Sequence, residues 1–246
     1  MPRGIRLDQA LVQRGFFPSR QQAQTAIMAG EVELDGRRAA KASDLVREES
    51  QITVATRDRY VGRGGLKLEG ALDHFALCCQ DKVALDIGAS TGGFTDCLRQ
   101  RGVRKVFAVD VGHGQLAWKI REDPRVVVLE KLNARQLSRR EIPESIDLCV
   151  IDVSFISLTL ILPNAFELVT ANGVILALIK PQFELAREDV GRGGIVRDPG
   201  LHRRAQEKIA SFAETMGAEI VGLFPSPLTG ADGNQEFFIC LRKPSA

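Results

Sequence analysis

From residue 82 onward the chain repeats one pattern: a short apolar run, a cluster of small or turn-forming residues, then a stretch with helical spacing. The apolar runs are KVALDIG, VRKVFAVDVG, RVVVLE, IDLCVIDVS, GVILALIK, AEIVGLF and NQEFFICLR, with helices predicted at 91–101, 113–121, near 135–140, 157–170 and 199–217. Strands that are apolar throughout are buried on both faces, and strands that alternate with helices pair mostly in parallel. The expectation is an α/β domain with a mostly parallel seven-stranded sheet and helices on both faces. Ligands in such sheets bind outside the carboxyl ends of the strands, at the point where the strand order reverses.

The first sixty residues are built differently. RLDQALVQRG places Leu7, Ala10, Leu11 and Arg14 at helical spacing and stops at Gly15. PSRQQAQTAIMAG restarts the helix with Ser19 as N-cap and Gln22 at the capping-box position, and Gly30 ends it. A short strand in EVELDGRRA meets the turn signal Asp35-Gly36, and QITV is a second strand at 51–54. Such an αα-ββ unit is too small to bury much core, which favours a recognition module over a catalytic body. We place this small α+β domain at 1–56, a charged, glycine-rich linker (RDRYVGRGG) at 57–65 and the larger domain at 66–246.

Charge follows that division. Of the formal net charge of +2, residues 1–60 carry 10 Lys and Arg against 8 Asp and Glu, while the remainder is balanced at 23 against 23. An excess of two is small, but its arginines suit phosphate contacts; a solvated helical face is the alternative. No apolar run approaches the length of a membrane span, and MPRGIRLDQALVQRG lacks the apolar core of a signal peptide, so a cytoplasmic protein is expected. Five cysteines without a C-x-x-C and three scattered histidines indicate neither a disulfide framework nor a metal site.

The turn after the first strand of the large domain reads ALDIGASTGGFTDCL, residues 84–98. It lacks the glycine a dinucleotide fingerprint needs at position 90, and no Gly-Lys-Ser or Gly-Lys-Thr follows as in a phosphate-binding loop. What stands there is Asp86-x-Gly88-x-x-x-Gly92-Gly93, with Asp110 ending the second strand. An acid at that place suits a ribose diol, and glycines let the backbone pass close to a ligand. The arrangement looks like the S-adenosylmethionine pocket of a Rossmann-like methyltransferase; a different nucleotide or a purely structural turn are the alternatives.

Four further residues could do chemistry. Asp152 ends the fourth strand in CVIDVSFIS, Lys180 ends the fifth in LALIKPQFE, Glu236 opens the last in NQEFFICLR, and Lys67 lies in GRGGLKLEGAL on the helix before the first strand. Each has a plainer reading, as a helix cap, a snorkelling lysine, a rim charge and a surface lysine. Lys180, however, follows six apolar residues and precedes a proline, an expensive place for an unpaired charge.

Two resemblances extend this reading. The order RLD..L…RG…SR..A...I..G.V..DG over residues 5–55 resembles the αL RNA-binding domain of ribosomal protein S-four, pseudouridine synthases and related RNA modifiers. It implies an RNA-gripping role for Arg6, Arg14, Arg20 and Arg37, to which Arg63 in the linker and Arg192 in the glycine-rich segment 187–204 are added. That segment either closes over RNA or is a plain surface loop. Lys67, Asp152, Lys180 and Glu236 match the Lys-Asp-Lys-Glu tetrad of FtsJ-type 2′-O-ribose methyltransferases. RGGLKL, DIGASTGGFTDCL, DVSFISL, IKPQFE, GRGGIVRDP and GNQEF resemble the TlyA family of RNA methyltransferases, also labelled hemolysins.

The resemblance implies a class I methyltransferase domain with an antiparallel last strand, S-adenosylmethionine as cofactor, no metal, and ribosomal RNA or ribosomal subunits as partner, with 2′-O-methylcytidine as product. It implies cofactor contacts from Asp86, Gly88, Ser90, Gly92, Gly93, Phe94, Asp110, Asn133 and Asp152. In the tetrad, Lys180 is the expected base, Asp152 would orient its amine, Lys67 would disfavour a second positive charge by repulsion, and Glu236 would balance the cluster. The competing readings are an RNA-binding assembly factor that keeps the domain as scaffold, and a membrane-lysing hemolysin; the intact tetrad speaks against the first, the missing signal peptide and amphipathic basic segment against the second.

Overall fold

The computed structural model describes residues 4–54 and 59–245, without the Arg192 side chain. The chain divides between Arg59 and Tyr60 into two compact units.

The N-terminal unit runs β1 (Ile5–Arg6), α1 (Leu7–Gln13), α2 (Arg20–Ala29), β2 (Val32–Leu34), β3 (Arg37–Arg38), β4 (Leu45–Val46) and β5 (Ile52–Val54). The Ser19 hydroxyl caps α2 by accepting from the Gln22 backbone N–H at 3.4 Å, and Gly30 ends the helix in the left-handed region. Asp35 and Gly36 both have positive φ, the two-residue turn that matches strand twist, and it joins β2 to β3. β2 lies between β3 and β5 in a three-stranded antiparallel sheet. Leu7, Leu11, Ala23, Ile27 and Val32 fill the core between helices and sheet. The two-residue pairing of β1 with β4 has no sequence signal, because two residues are too few to show alternation.

In the second unit α3 (Gly64–His74) precedes β6 (Val83–Ile87), α4 (Gly93–Gln100), β7 (Lys105–Asp110), α5 (Trp118–Arg121) and β8 (Val126–Glu130). There follow β9 (Ile146–Ile151), α6 (Leu162–Leu168), β10 (Val169–Ile179), α7 (Pro181–Glu184), α8 (Pro199–Thr215), β11 (Glu219–Pro225) and β12 (Phe237–Arg242). Seven strands form one sheet in the order β11-β12-β10-β9-β6-β7-β8. β12 runs antiparallel to both neighbours, as expected, and β6 to β10 are parallel. All five residues of β6 are buried, and apolar cores lie on both faces of the sheet, which accounts for the continuous apolar runs. The order reverses at β6, flanked by β7 and β9.

Three helices are shorter than their spacing predicts. Residues 111–117 form a loop rather than the start of a helix, because Asp110 accepts from the Gly112 N–H and Glu130 from the Gly114 N–H, which takes both amides out of a helical ladder. The helix expected at 157–170 is a single 3-10 turn (Leu158–Leu160) capped by Ser157, then α6, and β10 already begins at Val169. Near 135–140 there is a 3-10 turn at Ala134–Gln136, capped by Asn133.

The linker expected at 57–65 is also altered. Residues 57 and 58 lie outside the described residues, and Tyr60 is buried. The Val61 N–H donates to Asp96, and Gly64 already opens α3. The Tyr60 ring lies where a Cβ on Gly65 would stand, 2.2 Å away, so the glycines serve close packing here. All five cysteines are free thiols. Among the described residues no helix is long and apolar enough to cross a membrane, and no cluster of His, Cys, Asp and Glu is arranged to hold a metal.

Candidate active site

The carboxyl ends of β6, β7 and β9 open into a cleft of about 450 Å3, within the usual range for a small-molecule site. Gly88, Ser90, Asp110, Asn133 and Asp152 line it, against apolar walls that include Val111 and Ile161. The turn after β6 is pressed against the end of β9: the Asp152 N–H donates to the Ile87 carbonyl at 2.9 Å, and a Cβ at Gly88 would lie 2.2 Å from the Asp152 carbonyl oxygen. Gly88 also has φ +89, so both space and backbone geometry require glycine there.

Asp110 is fixed at the cleft rim. Its two carboxylate oxygens accept from the Ser90 N–H at 2.7 Å and the Gly112 N–H at 2.6 Å. Asn133 accepts from the Arg135 N–H at 3.0 Å, capping the 3-10 turn that follows β8.

The other four residues expected to contact a cofactor sit behind the lining. Asp86 is fully buried under the turn, where its Oδ2 accepts from the Thr95 hydroxyl at 2.6 Å and its Oδ1 has no hydrogen-bond partner. Burial pushes its carboxyl up to about 7, against the Thr95 bond and with the negative charge of Asp152 adding to the shift. Gly93 provides room for another stretch of backbone: a Cβ there would lie 3.0 Å from the Gly65 nitrogen. Gly92 caps α4, and Phe94 is a core residue stacked on Phe238 at 6.2 Å. A small-residue turn signals close approach, and sequence does not say whether a ligand or the chain itself is what approaches.

The tetrad is assembled from four elements as two ion pairs. Lys67, on α3, places Nζ 2.5 Å from Glu236 Oε2 at the start of β12. Lys180, directly after β10, places Nζ 2.6 Å from Asp152 Oδ1, an ion pair outside hydrogen-bond angles, and donates to the Ser154 hydroxyl at 3.0 Å. Sheet register links the pairs, because Ile179 is opposite Phe237, so Lys180 and Glu236 follow as the next opposed positions. The repulsion expected between the two lysines is therefore met by a carboxylate at each.

Sequence reasoning missed Ser154 and Phe155. Phe155 is 90% exposed with φ +63, and its ring is 5.0 Å from that of Phe183, which follows Lys180 by three residues. Nothing in DVSFIS announces a left-handed phenylalanine.

The arginines divide. Arg6 and Arg20 are half exposed and converge on the buried Asp8. Arg37 is exposed on β3, and Arg63 is exposed while donating to the Thr229 carbonyl at 3.3 Å. Arg14 is exposed, and its guanidinium gives three of its N–H groups to the carbonyls of Arg47, Glu48 and Ser50, so it ties down the 47–50 loop. The Arg192 side chain lies outside the described residues.

Comparison with known proteins agrees with the geometry. Residues 60–243 match the FtsJ-like methyltransferase family and residues 5–52 the S4 domain. TlyA of Mycobacterium tuberculosis, named 16S/23S rRNA (cytidine-2′-O)-methyltransferase, is 47% identical over 244 residues, 98% of this chain and 91% of that protein. Hemolysin A of Brachyspira hyodysenteriae is 41% identical over 234 residues, 95% of this chain and 98% of that one. The solved structure of a candidate hemolysin from Streptococcus thermophilus superposes with a TM-score of 0.75 at 41% identity, covering 100% of this chain and 90% of its own. The chain belongs to the TlyA family, in which an S4 domain precedes an FtsJ-like methyltransferase domain.

Proposed function

We propose that the protein methylates the ribose 2′-hydroxyl of cytidine in ribosomal RNA, free or within ribosomal subunits, with S-adenosylmethionine as methyl donor and the cytoplasm as its place of action. The observation that carries this reading is the Lys180–Asp152 pair at 2.6 Å at the end of the cleft, beside the buried Lys67–Glu236 pair.

The cleft suits a cationic ligand with a nucleoside end. Asp110 and Asp152 supply negative charge, and the buried Asp86 lies behind them. Asp110 is the residue to hold a ribose diol, with Asn133 and the apolar walls beside the base. Bound S-adenosylmethionine supplies an electrophilic methyl group on a positively charged sulfur.

The chain's own residues supply the rest. A ribose hydroxyl is a poor nucleophile, so its proton must leave as the oxygen bonds to carbon, and the amine of Lys180 is placed to draw it off. Asp152 and Ser154 orient the amine, while Lys67 and Glu236 brace the start of β12 next to it. Phe155 and Phe183 offer an open aromatic surface on which a base can stack.

The test is transfer of labelled methyl to purified ribosomal subunits and to free ribosomal RNA by wild type and Lys180→Ala. The expected result is label in 2′-O-methylcytidine with wild type and a loss of about 10²- to 10⁴-fold in the variant, with cofactor binding retained. Equal loss of turnover and cofactor binding would remove Lys180 from the role of base, and absence of label with a cofactor-binding wild type would remove the reaction.

A further inference from the structure

Asp8 is the one buried charged residue among the described residues of the N-terminal unit, fully excluded from solvent in the first turn of α1. Four donors converge on it. Its Oδ1 accepts from Arg6 Nε at 3.1 Å, and its Oδ2 accepts from Arg6 Nη2 at 3.1 Å, Arg20 Nη2 at 3.0 Å and Gln24 Nε2 at 2.7 Å. The Arg6 bond, ahead of those from Gln24 and Arg20, holds the carboxyl well below the usual carboxylate range, against the cost of burial.

The arginines are not used up by this. Of five N–H groups each, Arg6 gives two to Asp8 and Arg20 one, and their side chains remain 43% and 51% exposed. Both guanidiniums are thus tethered from below to one oxygen, and their outer edges face solvent. An arginine held this way has lost its side-chain freedom before a ligand arrives, and forks of fixed geometry match phosphate oxygens better than mobile ones.

We propose that Asp8 is a positioning residue for RNA capture, a buried carboxylate that sets Arg6 and Arg20 side by side as a preformed grip for the phosphate backbone. This rests on the reading that these arginines hold ribosomal RNA. Charge counting alone predicts the opposite of what the proposal predicts. Replacing Asp8 by a neutral residue takes the cluster from +1 to +2, which by electrostatics alone tightens binding to RNA; if position matters more than charge, binding weakens.

The experiment measures binding of the full chain to ribosomal RNA transcribed in vitro, for wild type, Asp8→Asn, Gln24→Met and the double variant Arg6→Ala/Arg20→Ala. Methyl transfer to the same RNA is measured in parallel. Asp8→Asn is expected to bind about tenfold more weakly, the size of one charge-assisted contact, and the loss should fall on KM for RNA rather than on kcat. Gln24→Met changes no charge and is expected to weaken binding in the same direction by a smaller factor. Adding Asp8→Asn to the double arginine variant should change little, because the residues act as a unit. Tighter or unchanged binding by a folded Asp8→Asn overturns the proposal. Should Asp8→Asn fail to fold, Gln24→Met decides, and wild-type affinity there overturns it too. If the double arginine variant binds like wild type, the arginine grip and the proposal fail together, while methyl transfer by the wild type shows separately whether the enzymatic reading stands.

Discussion

Each of the two lysines of the active site is matched by an acid, but the pairs are set in different surroundings. The Lys67 and Glu236 side chains are 10% and 3% exposed, joining a helix to the residue just before the last strand. Lys180 is enclosed to a similar degree at 11%, but its partner Asp152 is 22% exposed and lines the cleft. The first pair is closed on itself and has no water to turn to, whereas the second has one member facing the space where a substrate enters. Charge pairing in the first is therefore part of the fold, and in the second part of the chemistry.

Breaking each pair from its lysine side tests this division. Lys67→Ala leaves the Glu236 carboxyl without its partner in an enclosed site, which costs about 3–5 kcal/mol, or roughly 6 to 20 °C in Tm for a domain of this size. Lys180→Ala leaves a carboxylate that cleft water can hydrate, for about 1 kcal/mol, an ordinary point change. Thermal melts of the two variants side by side check it: a comparable fall in Tm for both would abolish the distinction between a structural and a chemical pair.

Gly88 sharpens the comparison because it touches only the second pair. Its missing Cβ leaves room for the Asp152 carbonyl, 2.2 Å from where that atom would stand. Gly88→Ala must shift the end of β9, at a left-handed backbone strain of about 1–3 kcal/mol, and Asp152 moves with it. The expected outcome is a loss of turnover of about 10²-fold, as misplacement by an ångström produces, with a smaller fall in Tm than Lys67→Ala. Wild-type turnover in Gly88→Ala would show that Asp152 does not depend on this close approach.

The same two pairs show what sequence can and cannot convey. Lys180 was legible because a charge after six apolar residues needs a reason, and Asp152 because it ends an apolar strand; both depend on local pattern and on the rule that parallel sheets bind at their carboxyl ends. The resemblance already set Asp152 against the Lys180 amine; that Lys67 faces Glu236 was not legible, because that is settled by sheet register between β10 and β12 and by how α3 lies against the strands. Packing partners were not legible for a similar reason. Gly93 and Phe94 have the composition of a binding turn, and the structure adds that the one makes room for the chain's own backbone and the other packs on Phe238. Arg14 shows this for the N-terminal unit: its charge suggested RNA, and nothing in the sequence told that three loop carbonyls also accept from its guanidinium.

Asp86 supplies the most selective test, since its buried carboxyl, unlike those of Glu236 and Asp152, has no cation beside it. Fully buried, with one oxygen on Thr95 and the other unpartnered, its carboxyl is pushed up to about 7 from an ordinary value of 3.8. The folded chain thus binds this proton more tightly than the unfolded chain does, so stability falls as pH rises wherever the two states differ. Its contribution is complete below about pH 4, declines from there, and is lost once pH has passed through 7. Acids held low by arginines, such as Asp8 and Asp123, have the opposite slope at lower pH, so wild type alone gives a mixed curve. Asp86→Asn is neutral at every pH and keeps an oxygen for Thr95, and the difference between the two Tm profiles isolates the one group. That difference should move in favour of the variant between pH 4 and 8 and stay level above it. Parallel profiles would mean that Asp86 is ionised throughout, and that a partner within the fold stabilises its charge as Lys67 does for Glu236.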